Sequence, residues 1–314
     1  MKVLNDIGAD VHRIYVVDDR CPEGTGNLVS QEAKDPRIQI IYNNVNLGVG
    51  GATLAGMTAA AEAGADVIVK IDGDGQMDSK LINRFTEIIL TGEADYAKGN
   101  RFFDPAGLEK MPFGRLVGNA ALSFLSKIST GYWQTFDPTN GFIAIHSKVV
   151  RILPLSKISS RYFFESDMLF RLNLIGARVV DVPMSARYLG EISNMNPTRE
   201  IPRFAFAHLR NFWKRIFYNY FLREFSLASI ELVLGILLCV FGSIYGVVNW
   251  RGTIPATPGT VMLAALPMIL GVQFLLSFFN FDIQRVPRST IHLSLNGASA
   301  NFEKFNTVNG ERNS

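Results

Sequence analysis

The sequence predicts an α/β domain on a mostly parallel sheet, followed by an amphipathic helix and a hairpin of two membrane-spanning helices. Strand-like and helix-like segments alternate through the N-terminal part, the pattern of a sheet covered by crossover helices. Two apolar stretches near the C-terminus are each long enough for the roughly 20 residues that cross a bilayer as a helix. Of the 314 residues, 48% are hydrophobic, and the mean hydropathy is +0.16, high for a purely soluble enzyme. The apolar excess is concentrated from Phe225 onward.

The elements follow in order. "RIYVVDD" (13–19) and "RIQIIYN" (37–43) are β-rich apolar runs. "GATLAGMTAAAEAG" (51–64) is Ala-rich and reads as a helix, and "DVIVKID" (66–72) reads as a short buried strand. "SKLINRFTEIILTG" (79–92) has helical spacing and a Gly stop. "GRLVGNAALSFLSKIST" (114–130) predicts a helix, and 137–153 a turn, a strand and a short helix. "FFESDMLFRLNLIG" (163–176) predicts a helix with an acidic start, and 177–191 a strand followed by an irregular polar stretch.

Residues 208–225 carry Leu209, Phe212, Trp213, Ile216, Phe217, Tyr220 and Phe221 at helical spacing, with Arg210, Asn211, Lys214, Arg215 and Asn219 elsewhere around the helix. A basic, aromatic and amphipathic helix just before a span predicts a helix lying in the membrane interface. The spans are 225–248 and 259–281, joined by "NWRGTIPATP". Glu231, Pro267 and Gln273 interrupt them, and a charge in hydrocarbon needs a partner or the interface. Two buried core helices are the alternative. Lys214, Arg215 and Arg223 precede the first span, Arg285 and Arg288 follow the second, and the connecting turn has only Arg251. The bias of basic residues therefore puts the N-terminal domain and the C-terminal tail in the cytoplasm, in a multi-pass membrane protein. The domains expected are 1–203 (α/β), 204–224 (juxtamembrane helix), 225–284 (two spans) and 285–314 (tail).

A net charge of +3 does not suggest nucleic acid as a partner. Cys21 and Cys239 form no metal pattern, and the four histidines are scattered. "MKVLNDIGAD" has no apolar core of the kind that marks a signal peptide.

The chemistry is expected at the strand ends. An apolar strand has no packing reason to stop on carboxylates, yet "VVDD" (16–19) and "KIDGDGQMD" (70–78) both do. In α/β sheets ligands bind outside the carboxyl ends of the strands, where Asp18, Asp19, Asp72 and Asp74 fall. Asp72 and Asp74, one residue apart, can share a divalent cation, and Gln76 adds a neutral oxygen. Hard cations such as Mg²⁺ take oxygen ligands and keep substrate phosphates in their shell. Such a cation neutralises a leaving diphosphate as a Lewis acid. Glu165 and Asp167 open a predicted helix and have two readings: contacts to a substrate or to Arg101, or acids favoured by the helix dipole. "GVGGAT" (48–53) lacks the third glycine of a dinucleotide fingerprint and reads as a tight helix start; the Walker pattern is absent.

Taken in order, "VVDD", "NVNLGVGGATLAGMTAA", "VIVKIDGDGQMD", "AKGNR", "NGFIAIHSKVV", "FFESDMLFRL" and "VPMSARYLGEIS" resemble the family 2 glycosyltransferases with the GT-A fold. Within them the chain is most similar to the dolichyl- or polyprenyl-phosphate hexosyltransferases of the dolichol-phosphate mannose synthase type, over nearly its whole length. The resemblance implies transfer of a hexose from a UDP- or GDP-linked sugar to a polyprenyl or dolichyl phosphate. It also implies inversion at the anomeric carbon, Mg²⁺ or Mn²⁺ as cofactor, and a homo-oligomer assembled through the membrane segments. Matched residue by residue, it implies Asp72, Asp74 and Gln76 at the metal, and Asp18 and Asp19 near the nucleoside. Arg101 matches at the phosphate-handling end and Arg187 near the acceptor. Ser193 falls where the family usually shows Ser–Lys; here Asn194 follows, and the expected lysine is missing.

The resemblance further implies that the first strand of that fold, with its Pro–x–Tyr–Asn–Glu-like turn, is not in this sequence, which opens within the helix after it. Two unpaired sheet edges and weakened nucleotide binding are then expected. A processive polysaccharide synthase would carry Gln–x–x–Arg–Trp, and none of Trp133, Trp213 and Trp250 is so preceded. The alternatives kept are a non-catalytic membrane scaffold on a degenerate domain of the same fold, and a family 2 transferase with another acceptor.

Overall fold

The computed structural model describes residues 1–103, 113–185, 197–250 and 256–295. The chain forms two compact units, one of residues 1–212 with the segment from Pro287 onward, the other of residues 213–286.

The first unit is α/β. Its elements are α1 (Lys2–Asn5), β1 (Ile14–Asp18), α2 (Thr25–Glu32), β2 (Ile38–Tyr42), α3 (Gly48–Glu62), β3 (Val67–Lys70), α4 (Ile82–Leu90) and β4 (Tyr96–Asn100). Then come α5 (Phe113–Thr130), β5 (Ile143–His146), α6 (Ser147–Ile152), α7 (Phe164–Ile175), β6 (Val179–Pro183) and α8 (Pro197–Phe217). β1 and β2 form a parallel pair, and the remaining strands a sheet of order β3-β5-β4-β6. Among the described residues β1, β2, β3 and β6 each pair on one side only.

The larger sheet is mixed rather than mostly parallel. β5 runs antiparallel to both β3 and β4, and β4 and β6 run parallel. The reason lies in the connection. After β4 the chain passes through α5 and returns to the end of the sheet it left, where Gly99 N–H bonds Phe142 O at 2.8 Å. β5 then has to run back. The reversal buries the residues that make the core: Phe142 stacks on Phe85 of α4, ring centroids 4.2 Å apart and nearly parallel, with Ile89, Ala97, Ala144 and Val182 around them.

The glycine-rich stretch before α3 is a helix start. Gly48 has φ +83°, which only glycine adopts without cost. A Cβ on Gly50 would lie 2.5 Å from Ser159 O and 2.6 Å from Phe164 Cβ, so α3 can sit against that loop only without a side chain there. Gly176, at φ +76°, ends α7 as a left-handed cap.

Residues beyond the hairpin return to the first unit. Asp95, fully buried, accepts bonds from the backbone N–H groups of Ile291 and His292 and sits 2.6 Å from His292 Nδ1. His292 in turn stacks on His146 at 4.3 Å, whose pKa burial lowers to about 4.

α8 is polar on its buried side. His208 bonds Ser129 Oγ at 2.7 Å, and Asn211 bonds Asp167 at 3.0 Å. The exposed large apolar residues of the same helix are Ile201, Phe206, Leu209, Trp213 and Phe217, with the basic Arg203, Arg210 and Lys214 exposed among them. A surface that mixes large apolar and basic side chains suits a membrane interface.

The second unit contains a π-helical turn, Tyr218–Arg223, and two long helices, α9 (Leu227–Trp250) and α10 (Pro258–Gln284). Both are long and apolar enough to cross a membrane, with mean hydropathies of 2.3 and 2.1. Only 28% and 11% of their most apolar stretches are buried, so they are not core helices of this chain. They pack closely: a Cβ on Gly271 would lie 2.6 Å from Cys239 Sγ and 2.9 Å from Gly235 O. Small residues at such contacts let two backbones approach. Glu231 finds its partner across the hairpin, where Ser277 Oγ donates to it at 2.8 Å.

Candidate active site

The site is built at the end of the larger sheet. β3 leaves the core at Lys70, and the chain turns through Gly73 and Gly75, the latter at φ +78°. Asp72 is half-buried and Asp74 exposed. Asp74 Oδ1 accepts the Gln76 N–H at 2.9 Å, which draws Gln76 to the same turn. Lys70 Nζ lies 2.6 Å from Asp72 Oδ1.

Arg101 follows directly on β4, and its charge, like those of Lys70 and Asp72, acts on the carboxyl of Glu165. The sequence offered Glu165 and Asp167 as its orienting acids; the structure gives that place to Asp137. Arg101 Nε and Nη2 donate to the two oxygens of Asp137, both at 2.7 Å, and the Arg101 N–H adds a third bond. Asp137 is 2% exposed. Burial pushes its pKa upward, but the Arg101 bonds and charge outweigh this and hold the carboxyl below the usual carboxylate range.

The loop around Asp137 is fixed by a second buried group. Asp181 of β6 accepts from Phe136 N–H and from Asn100 Nδ2, both at 2.7 Å, and pairs with the buried Lys98 at 3.2 Å. Lys98 Nζ also donates to Phe136 O. Lys70, Lys98, Asp137 and Asp181 were not singled out from sequence. Asp137 and Asp181 fall in 137–153 and 177–191, which read as turn and strand there. Their partners are 36 and 83 residues away, and no local pattern carries such a pairing.

Glu165 opens α7 and faces this cluster, while Asp167 does not. The Asp167 side chain is buried and bonds Ser159 N–H, Asn211 and Arg171. Glu165 keeps some exposed surface, but its carboxyl is stripped of water. That loss pushes its pKa up to about 7; the charges of Lys70 and Arg101 oppose the rise and Asp72 adds to it. A carboxyl ionising near 7 when folded and near 4.5 when unfolded keeps its proton in the native state while the unfolded chain releases it. The native state therefore loses stability as pH rises from about 4.5 to about 7, and the loss is constant above that. Glu165→Gln removes the effect: the variant's thermal midpoint should exceed the native one at about pH 8 and match it near pH 4.5. Parallel pH profiles for the two proteins would refute this.

Asp18 and Asp19 are engaged with backbone. Asp18 accepts from Cys21 and Gly26 N–H, both at 2.7 Å. Asp19 accepts from Asn43, Leu47 N–H and Gly48 N–H at 2.7–2.8 Å. Burial raises the Asp19 pKa, but these bonds prevail and lower it overall. Both acids thus hold the first turns of α2 and α3, at the carboxyl end of β1. Arg187 and Ser193 lie outside the described residues.

The turn fits a hard divalent cation. Its donors are carboxylate and amide oxygens, and a Cβ on Gly73 would meet nothing within 4 Å. No group of three or more His, Cys, Asp or Glu is assembled among the described residues. Two carboxylates alone leave most of the shell to phosphates and water, as Mg²⁺ prefers.

Comparison with known proteins gives the family. Residues 2–153 match the model of the glycosyl transferase family 2. An undecaprenyl-phosphate mannosyltransferase of Micrococcus luteus is 34% identical over 182 residues, covering 57% of this chain and 74% of that protein. A polyprenol monophosphomannose synthase of Mycolicibacterium smegmatis is 32% identical, covering 55% of this chain and 65% of its own. A UDP-N-acetylglucosamine–dolichyl-phosphate N-acetylglucosaminyltransferase of Methanococcus voltae is 31% identical, covering 48% and 60%. The chain thus spans under two thirds of the length of the last two. A crystal structure of glucosyl-3-phosphoglycerate synthase from Mycobacterium tuberculosis aligns over 68% of this chain and 73% of its own, at 17% identity and a TM-score of 0.48, too distant to bear on the site. The identity shared with the Micrococcus protein, over most of that protein's length, is what shows that this chain belongs to glycosyl transferase family 2.

Proposed function

We propose that the protein transfers a hexose from a nucleoside-diphosphate sugar to a polyprenyl phosphate at a membrane face, with Mg²⁺ or Mn²⁺. The observation that carries this is the joining of Asp72, Arg101 and Glu165 at one sheet end, in a chain with two helices fit to cross a bilayer. Curated relatives that act on polyprenyl or dolichyl phosphates support the acceptor class. Their names include both mannose and N-acetylglucosamine, so the sugar is left open.

The reaction asks little proton chemistry of the protein. An acceptor phosphate oxygen, already anionic, attacks the anomeric carbon; the bond to the nucleoside diphosphate breaks, and the configuration inverts. What is required is positioning and stabilisation of charge on the leaving group. Asp72 and Asp74, with Gln76 beside them, would hold the cation, which would supply Lewis-acid neutralisation of that charge. Arg101, its orientation fixed by Asp137, presents a planar fork suited to phosphate oxygens. Glu165 faces the same space, suited to a sugar hydroxyl. Asp18 and Asp19 shape the turns that would border the nucleoside, and Arg187 and Ser193 are assigned to the acceptor side.

The N-terminal domain and residues 287–295 belong to one compact unit, which supports placing both on one side of the bilayer. The basic residues flanking the spans make that side the cytoplasm.

The test is thermal stabilisation of the detergent-solubilised chain by UDP and GDP, with Mn²⁺ or EDTA. Binding to the folded state alone raises stability by about 2.7 kcal/mol at a hundredfold excess over Kd. A rise is expected with one nucleotide, only with the cation, and not in Asp74→Asn. No metal-dependent rise with either nucleotide would favour a non-catalytic scaffold.

A further inference from the structure

Lys70 is the last residue of β3, two before Asp72. Alternate residues leave a strand on the same face, and Lys70 Nζ lies 2.6 Å from Asp72 Oδ1. A lysine at a strand end ordinarily packs its stem and turns its ammonium to water. This one does the opposite: its side chain is 12% exposed, against 35% for Asp72. The pair fits beneath the bare backbone of Gly141, where a Cβ would lie 2.4 Å from Lys70 Nζ and 2.7 Å from Asp72 Oδ2. Gly141 ends the loop that carries Asp137, so the space for this ion pair and the support of Arg101 come from one segment. Lys70 is also the charge that most opposes the rise of the Glu165 pKa. Its ammonium thus acts on two carboxylates of the site.

We propose that Lys70 is a built-in counter-ion that makes cation loading at Asp72 depend on the nucleoside diphosphate. This rests on the metal-dependent reading above. A divalent cation approaching Asp72 meets a positive charge already seated on that carboxylate. At a few ångströms, like charges in partly buried surroundings repel by an amount worth tens-fold in affinity, less where water screens them. A nucleoside diphosphate changes the balance. It offers anionic oxygens to which the ammonium moves on a flexible four-carbon stem, freeing Asp72 for the cation. Cation and nucleotide then favour each other's binding, and the coupling is reciprocal. Lys70 is a positioning residue in this scheme, acting through Asp72.

The test measures Mn²⁺ binding directly, from the electron paramagnetic resonance signal of the free ion, on the full chain in detergent. Titrations are run with and without UDP or GDP, whichever stabilises the native chain more with Mn²⁺. The variants are Lys70→Met, Lys70→Gln and Asp72→Asn, with thermal midpoints checking that each folds. Lys70→Met should bind Mn²⁺ roughly five- to twentyfold more tightly than the native chain without nucleotide. Lys70→Gln, which keeps a hydrogen-bond donor but no charge, should do the same, and serves if Met disturbs the fold. In both, the gain in Mn²⁺ affinity on adding nucleotide should shrink. An affinity without nucleotide that is no tighter than native, or undetectable in all three proteins, overturns the proposal. Mn²⁺ binding with nucleotide that is unchanged in Asp72→Asn overturns the metal reading itself, a separable result.

Discussion

Asp282→Ala should be among the most destabilising single substitutions in this protein. Asp282 lies near the end of α10 and Arg215 near the end of α8, and each side chain is 2% exposed. The guanidinium meets the carboxylate through two bonds, Nη1–Oδ1 at 2.6 Å and Nη2–Oδ2 at 3.0 Å. Tyr220 OH adds a third at 2.7 Å, and Ser229 Oγ bonds the Tyr220 carbonyl. This cluster ties the juxtamembrane segment to both membrane helices within the second unit. Removing one partner leaves the other charge buried and uncompensated, which costs about 3–5 kcal/mol. Thermal unfolding in detergent, followed by tryptophan fluorescence, should show a large drop in the midpoint for Asp282→Ala and for Arg215→Ala. The double variant Arg215→Met/Asp282→Leu should recover most of it, because a well-packed apolar pair replaces a buried ion pair at little cost. A drop in the double variant as large as the two singles combined would show that the bonds, not the stranded charge, carry the stability.

That ion pair also shows where sequence reading stops. Arg215 reads as part of a solvated basic face, and Asp282 as the first residue past a span. Their pairing joins positions 67 apart, and nothing local announces it. The elements themselves were legible because their signals are local. The Ala-rich run of α3, the glycine after α7 and the apolar lengths of α9 and α10 each fix a segment without reference to the rest. Strand direction is not local: "IAIH" has the same composition whichever way it runs. Its reversal in β5 follows from where α5 delivers the chain. Within the site, Asp72 and Asp74 stood out because charge interrupts an apolar strand. Asp137 did not, since Asp-Pro-x-Asn-Gly looks like any turn. Asp18 and Asp19 carry the same strand-end signal as Asp72, yet their oxygens bind backbone N–H groups of the following helices. A carboxylate at a strand end marks a place where ligands bind in such sheets, and also a place where helices need caps; residue type alone does not separate the two.

The difference between holding a group and touching the substrate leads to the second large effect, Asp137→Asn. Asp137 is buried behind Arg101 and has φ +53°, a conformation that asparagine accepts at least as well as aspartate. The substitution therefore keeps the loop's backbone. It removes one of the two carboxylate oxygens that receive Arg101 Nε and Nη2 and the negative charge that holds the guanidinium in one orientation. Arg101 keeps its own charge but loses its fixed direction. Misplacement of a charge-stabilising group by about 1 Å costs on the order of a hundredfold in rate. On the proposed transferase, Asp137→Asn should lower kcat by about that factor while the KM for the nucleotide sugar moves much less. Arg101→Gln should lower kcat by more, as the loss of a donor aimed at developing charge costs about a hundred- to a thousandfold. Asp137 also holds Asn140 at 3.1 Å, but if its effect on the rate runs through Arg101, the double variant should be no worse than Arg101→Gln alone, a departure from additivity that two independent residues would not show. If the two losses multiply instead, Asp137 has a role of its own in the site, and the chain of support from Asp181 through the 136–141 loop to Arg101 is not what positions the phosphate.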